Sequence, residues 1–158
     1  MNRFLCGVLG GTVATVPMTI VMQVLHHWPT REREELPPEQ ITEYLTEQAE
    51  TQMGVDSHLG KPQIEALTLV NHFGFGGAMG GIYVLLSPRI PANSVFKGAL
   101  WGLMVWTVSY LGWLPAAHIL EPATQTPRRR NFLMIVAHLV WGVVTALATD
   151  RLASENAS

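Results

Sequence analysis

The sequence predicts an all-α integral membrane protein: a four-helix bundle of four transmembrane helices, with a short amphipathic helix in the first loop. Three observations predict it. The 158 residues are 48% hydrophobic and only 14% charged, where soluble domains run near 25% charged. The charges are segregated: eight of the twelve acids lie between Glu32 and Asp56, which leaves long runs with none. Glycines recur inside those runs at helical spacing. In water each would cost a helix ~1 kcal/mol relative to alanine. In lipid, small residues let backbones approach, and packing rather than hydrophobicity holds helices together.

Length suggests one membrane domain, residues 1–158. A net charge of −2 gives no basic excess, so the bilayer is the expected partner and nucleic acid is not. Cys6 is the single cysteine, which excludes an intrachain disulfide or a CxxC pair and reads as a packing residue.

The first span covers residues 4–28, a run of 25 without Asp, Glu, Lys or Arg; about 20 apolar residues cross a bilayer core. Arg3 ahead of it invites a signal-peptide reading. The length of the run and the lack of an A-x-A-like exit before His26-His27-Trp28-Pro29 argue against that. Gly7, Gly11 and Thr15 form a small stripe, and Pro17 is expected to kink the helix. Residues 29–61 are polar and acidic. Within them, Pro37-Pro38-Glu39 reads as a helix start, and Ile41, Tyr44, Leu45, Ala49 and Met53 recur at helical spacing. Residues 38–53 are therefore expected as an amphipathic helix on the rim of the bundle. A lipid-surface helix should be basic, and this one is not.

The second span, residues 66–87, carries the densest glycine pattern, VNHFGFGGAMGGIY at 70–83. Gly74, Gly77, Ala78 and Gly81 share one face, and Gly76 and Gly80 form a second ridge on which His72 also sits. The third span, residues 98–120, aligns Gly98, Gly102, Val105, Ser109 and Gly112 on one face, with Trp101, Trp106, Tyr110 and Trp113 as bulk and interface anchors. Pro115 is expected to bend its end. The fourth span, residues 131–149, follows Arg128-Arg129-Arg130 and carries the stripe His138, Gly142, Thr145, Thr149. Residues 152–158 are expected to be disordered. Gly7, Gly11, Gly74, Gly76, Gly77, Gly80, Gly81, Gly98, Gly102 and Gly142 are the expected helix-packing residues.

Four spans put both termini on one side. Arg3, Arg89, Lys97 and Arg151 fall on that side, and Arg31, Arg33, Lys61 and Arg128 to Arg130 on the other. The excess favours cytoplasmic placement of the two longer loops. An internal echo also shows. Gly7-x-x-x-Gly11 resembles Gly98-x-x-x-Gly102, and His72-x-x-x-Gly76 resembles His138-x-x-x-Gly142. The echo suggests two hairpins related by a pseudo-two-fold along the membrane normal, though a glycine-rich chain also produces such echoes by chance.

The histidines gather toward one face. His72 and His138 each lie seven residues inside their spans, ~10 Å deep at the helical rise. His26, His27 and His118 close spans one and three on that side, beside Glu65 and Glu121, and His58 lies in the loop there. Intramembrane ionisable groups usually face the bundle interior. The plainest reading keeps His72 and His138 neutral and hydrogen-bonded across the bundle, with Asn71, Thr68, Thr107 or Ser109 as partners, and no cofactor. A sharper one makes His72 and His138 axial ligands of haem or a chlorophyll-type pigment. A third builds a metal, proton or pH-sensing site from His26, His27, His118, Glu65 and Glu121, although no tight ligand spacing supports it. GFGGAMG is no dinucleotide loop, because it lies within an apolar span. No serine, cysteine or lysine sits in a nucleophile setting, so an enzyme is not expected.

GGTVATVPMTIVMQVLHHWP, LPPEQIT, NHFGFGGAMGGIY, SYLGWLP and RRRNFLMIVAHLVWG resemble the YagU-like family of small uncharacterised bacterial inner-membrane proteins, over residues 7–142. The resemblance implies a multi-span protein of the bacterial cytoplasmic membrane, with a link to acid tolerance in one branch. It supplies no active site, and the long acidic segment 29–61 departs from some relatives. Glycine faces on at least three spans exceed what one four-helix core needs. The leading functional expectation is therefore a non-enzymatic structural or accessory subunit that packs with itself or a larger membrane complex. The alternative is a haem-, pigment-, metal- or proton-handling subunit using His72 and His138.

Overall fold

The computed structural model describes residues 2–26, 36–53 and 60–156. Those residues are mostly helical, with short irregular connections and no strand among them. The elements are α1 (Arg3–His26), α2 (Pro37–Met53), α3 (Lys61–Leu86), a 3-10 turn (Ser87–Arg89), α4 (Ser94–Val108), a π-helical segment (Ser109–Trp113), α5 (Leu114–Ala116) and α6 (Arg128–Glu155). Three helices, α1, α3 and α6, are long and apolar enough to cross a membrane.

The side chains of α1 show which solvent suits it. Leu5, Leu9, Val13, Val16, Ile20 and Val24 are each about half exposed and step along one face at helical spacing. Cys6, Gly7, Gly11, Ala14, Met18 and Met22 line the buried face. Large apolar groups point out and small ones in. Water would reject that outer face, whereas lipid solvates it and the small face takes the packing. Leu69, Val70 and Leu85 on α3, and Phe96, Leu100 and Val108 on α4, are exposed likewise.

The main helices pack in the order α3, α1, α6, α4, each antiparallel to its neighbour. Glycine sets the spacing at both ends of the row. A Cβ on Gly80 would lie 2.8 Å from Gly11 Cα, and one on Gly142 would lie 2.9 Å from Gly102 Cα. The α1 backbone lies along two ridges of α3 together: Gly76 and Gly80 meet Gly7, Gly11 and Thr15, while Gly77 and Gly81 meet Phe4, Val8 and Thr12. Gly74 is a correction. Its spacing puts it on the packing face, but a Cβ there would meet nothing within 4 Å. It lies one step round the helix from the ridges that α1 occupies. Between the two pairs, Gly10 abuts Thr145 and Thr149, and the Trp141 indole Nε1–H donates to the Gly11 carbonyl at 3.1 Å.

The interfaces repeat more closely than the sequence echo. Gly7 meets Gly80 and Val84; Gly98 meets Gly142 and Ala146. Gly11 meets the Gly76 carbonyl, and Gly102 meets the His138 carbonyl. In this register His138 corresponds to Gly76, not to His72. The two histidines are thus offset by one helical turn, ~5.4 Å, rather than equivalent.

Other elements depart from their expected bounds. α3 begins at Lys61, five residues before the expected start of the second span. The end of the third apolar run breaks at Gly112 (φ −112°, ψ −105°) within the π segment, three residues before Pro115. A proline ring collides with the carbonyl four residues back, here that of Leu111. Widening the turn so that the Leu114 N–H reaches the Ser109 carbonyl accommodates it. At the C-terminus, α6 extends to Glu155, with an Arg151–Glu155 pair at 3.1 Å, where disorder was expected from residue 152.

Candidate functional site

α3 and α4 are joined by a short connection and meet through Tyr83 and Trp101, whose ring centroids lie 6.1 Å apart. Toward the other end they leave a cavity of about 270 Å³. Its back wall comes from α1 and α6 (Thr15, Met18, Met22, His138, Trp141). Its sides come from α3 (Asn71, His72, Phe75, Gly76) and from α4 with its π segment (Val105, Ser109, Tyr110, Trp113). α2 crosses one end with Pro38, Ile41 and Leu45. No Asp, Glu, Lys or Arg lines it among the described residues. Leu45, Phe75 and Trp113 are at least 40% exposed and Asn71 is exposed beside them, so the lip of the cavity is open and mostly apolar.

α2 is held across that end by polar bonds. Thr42, only 1% exposed, donates to the Pro38 carbonyl at 2.9 Å and accepts from Asn71 Nδ2 at 3.4 Å. Gln40 accepts from Arg130 at 2.8 Å, and the Tyr44 hydroxyl donates to the Ala117 carbonyl at 3.3 Å. Thr42 is thus more deeply buried than Leu45, because its hydroxyl has partners on both sides.

The structure brings His72 and His138 to one cavity. His138 Nδ1 lies 2.8 Å from the Met134 carbonyl. A carbonyl only accepts, so Nδ1 carries the proton, and Nε2 of the neutral ring is an acceptor. The Tyr110 ring stands edge-on to His138, with centroids 5.7 Å apart, and its hydroxyl contacts Met134 Sδ at 3.5 Å. His72 Nε2 is shielded from solvent and has no hydrogen-bond partner. Asn71, offered by the sequence as a partner for the histidines, bonds Thr42 instead. Thr107 bonds its own helix at Leu103, so it satisfies neither ring.

The other histidine grouping does not assemble among the described residues. His118 is exposed in a turn at φ 58°, and Glu65 and Glu121 are exposed as well. No group of three or more His, Cys, Asp or Glu there could hold a metal ion. His27 and His58 lie outside the described residues, and His26 is described only as the last residue of α1.

Sequence reasoning missed Tyr110 and Trp141 as cavity residues. Tyr110 looked like an interface anchor, yet it is 9% exposed. Trp141 carried a readable signal: it follows His138 by three residues and so shares its helix face.

Neither the curated proteins nor the solved structures include a match to this chain. A family model does match, over residues 19–147, and its description is "Protein of unknown function (DUF1440)". That span takes in the last third of α1, all of α2, α3 and α4, and the cavity face of α6, so every helix that lines the cavity contributes to it. The chain therefore belongs to the DUF1440 family of proteins of unknown function.

Proposed function

We propose that this chain is a four-span protein of the bacterial cytoplasmic membrane that binds a largely apolar, uncharged small molecule between α3 and α4 and catalyses no reaction. The helical run from Ser94 to Ala116 serves as the third span; its exposed Phe96, Leu100 and Val108 support this. The YagU-like resemblance supports the bacterial membrane, and the positive-residue balance supports cytoplasmic placement of the two longer loops.

One observation carries the binding role: a buried imidazole nitrogen, His72 Nε2, has no partner beside a mostly apolar, uncharged cavity. Buried polar groups are nearly always hydrogen-bonded, and an orphan calls for an explanation such as a water or ligand. A mostly apolar pocket with a few polar groups is the usual form of a small-molecule site.

The partner-packing reading draws less support, because the glycine ridges are taken up inside the chain. Self-association or docking to other membrane subunits would have to use the large apolar outer faces. The haem or pigment reading also draws less support. The one-turn offset of the histidines removes the equivalence on which paired axial ligation rests.

Native mass spectrometry of the full chain, extracted from its own membranes in mild detergent, tests the proposal. A small-molecule adduct on the wild type, lost in His72→Leu, is expected. Bare protein in both, or an adduct indifferent to the substitution, overturns it.

A further inference from the structure

The cavity's hydrogen-bonding groups define its occupant further, given the binding role proposed above. We infer that the occupant is an uncharged lipid bearing a hydroxyl group, with its hydroxyl at His138 and its hydrocarbon leaving past Phe75 and Trp113.

Three features select that class. The lip is built mainly from exposed, apolar Leu45, Phe75 and Trp113; the exposed Asn71 beside them spends its amide on Thr42. Among helices whose outer faces are apolar, such a lip faces acyl chains rather than water, so entry is from the bilayer. No charged side chain lines the cavity among the described residues. A carboxylate, phosphate or ammonium headgroup would enter without a counter-ion, which is costly in a medium of low dielectric.

The third feature is the direction of the hydrogen bonds. The Met134 carbonyl fixes the Nδ1 proton of His138, which leaves Nε2 a bare lone pair. An ether, ester or ketone oxygen offers it nothing; an O–H does. His72 Nε2 is unpartnered too, but it is shielded within the wall, so His138 is the group an occupant meets. A hydroxyl donates where an ether or ester oxygen cannot, so this headgroup serves His138 as donor. Tyr110 stands edge-on to His138 and holds the ring in place without taking its Nε2.

Trp113 on the lip and Trp141 on the back wall report occupancy. The full chain in lipid nanodiscs is titrated with a dibrominated stearyl alcohol, its methyl ether and the dibrominated stearate anion, and tryptophan quenching by bromine is followed. The alcohol should quench saturably, with an apparent affinity roughly tenfold above that of the ether, as one hydrogen bond to a buried acceptor implies. The anion should not saturate. His138→Leu should erase the preference of alcohol over ether while saturable quenching persists. The wild-type comparison of alcohol and ether decides the matter even where that variant folds poorly. Equal saturable quenching by alcohol and ether, or preference for the anion, overturns the hydroxyl inference and leaves the binding cavity standing. Linear, unsaturable quenching by all three overturns both.

Discussion

Adding one methyl group at Gly80 tests the packing most directly. A Cβ there would meet the Gly7 carbonyl and stand 2.8 Å from Gly11 Cα. All of these partners are backbone, so no side chain can rotate away. Ordinary van der Waals contact between carbons lies near 3.5–4.0 Å, so α1 and α3 must separate by roughly 1 Å. A gap of that size forfeits a quarter to a half of each dispersion contact along the seam. Gly80→Ala is therefore expected to destabilise the fold by ~1–3 kcal/mol, the usual cost of overpacking. Gly74→Ala is the control. It meets nothing within 4 Å and should be neutral, or stabilising by up to ~1 kcal/mol through helix propensity. Reversible unfolding in mixed micelles with increasing SDS, followed by tryptophan fluorescence, gives both values. If Gly80→Ala is as stable as the wild type, or if Gly74→Ala costs as much as Gly80→Ala, the close approach of α1 and α3 is refuted.

Further outcomes follow from the same geometry. Trp141→Phe keeps the bulk but removes the donor to the Gly11 carbonyl, and should cost about 0.6–2 kcal/mol in the same titration; no loss would mean that the bond contributes nothing. Four spans require residues 92 and 155 to lie on one side and residue 124 on the other. Single cysteines there, in a Cys6→Ala background, should label with an impermeant thiol reagent in one pattern at 92 and 155 and the opposite at 124; a like pattern at 92 and 124 with 155 opposite removes the third span. Thr42→Val deletes the hydroxyl that pairs with Asn71 and should loosen α2 over the cavity, seen as faster hydrogen exchange confined to α2. Unchanged exchange would place the hold on α2 elsewhere, at Gln40 and Tyr44.

The sequence by itself determined that long helices of this chain are apolar enough to cross a membrane, and the faces on which they pack. Partition between water and lipid adds up residue by residue, so an uncharged run such as that in α1 declares its medium without reference to any neighbour. Helical period likewise places Gly76 with Gly80, and Gly98 with Gly102, on common faces. What only the tertiary structure decided is which ridge meets which. A glycine ridge fits a second chain as well as its own, and a one-turn slip preserves the spacing; contact depends on two surfaces together. Hence the sequence overcounted ridges for a partner, included Gly74, and aligned His138 with His72 when the interface aligns it with Gly76. The cavity was illegible for the same reason. It exists because α3 and α4 flank the α1–α6 pair and draw apart beyond Tyr83 and Trp101, a consequence of two separate glycine seams that neither seam's sequence records.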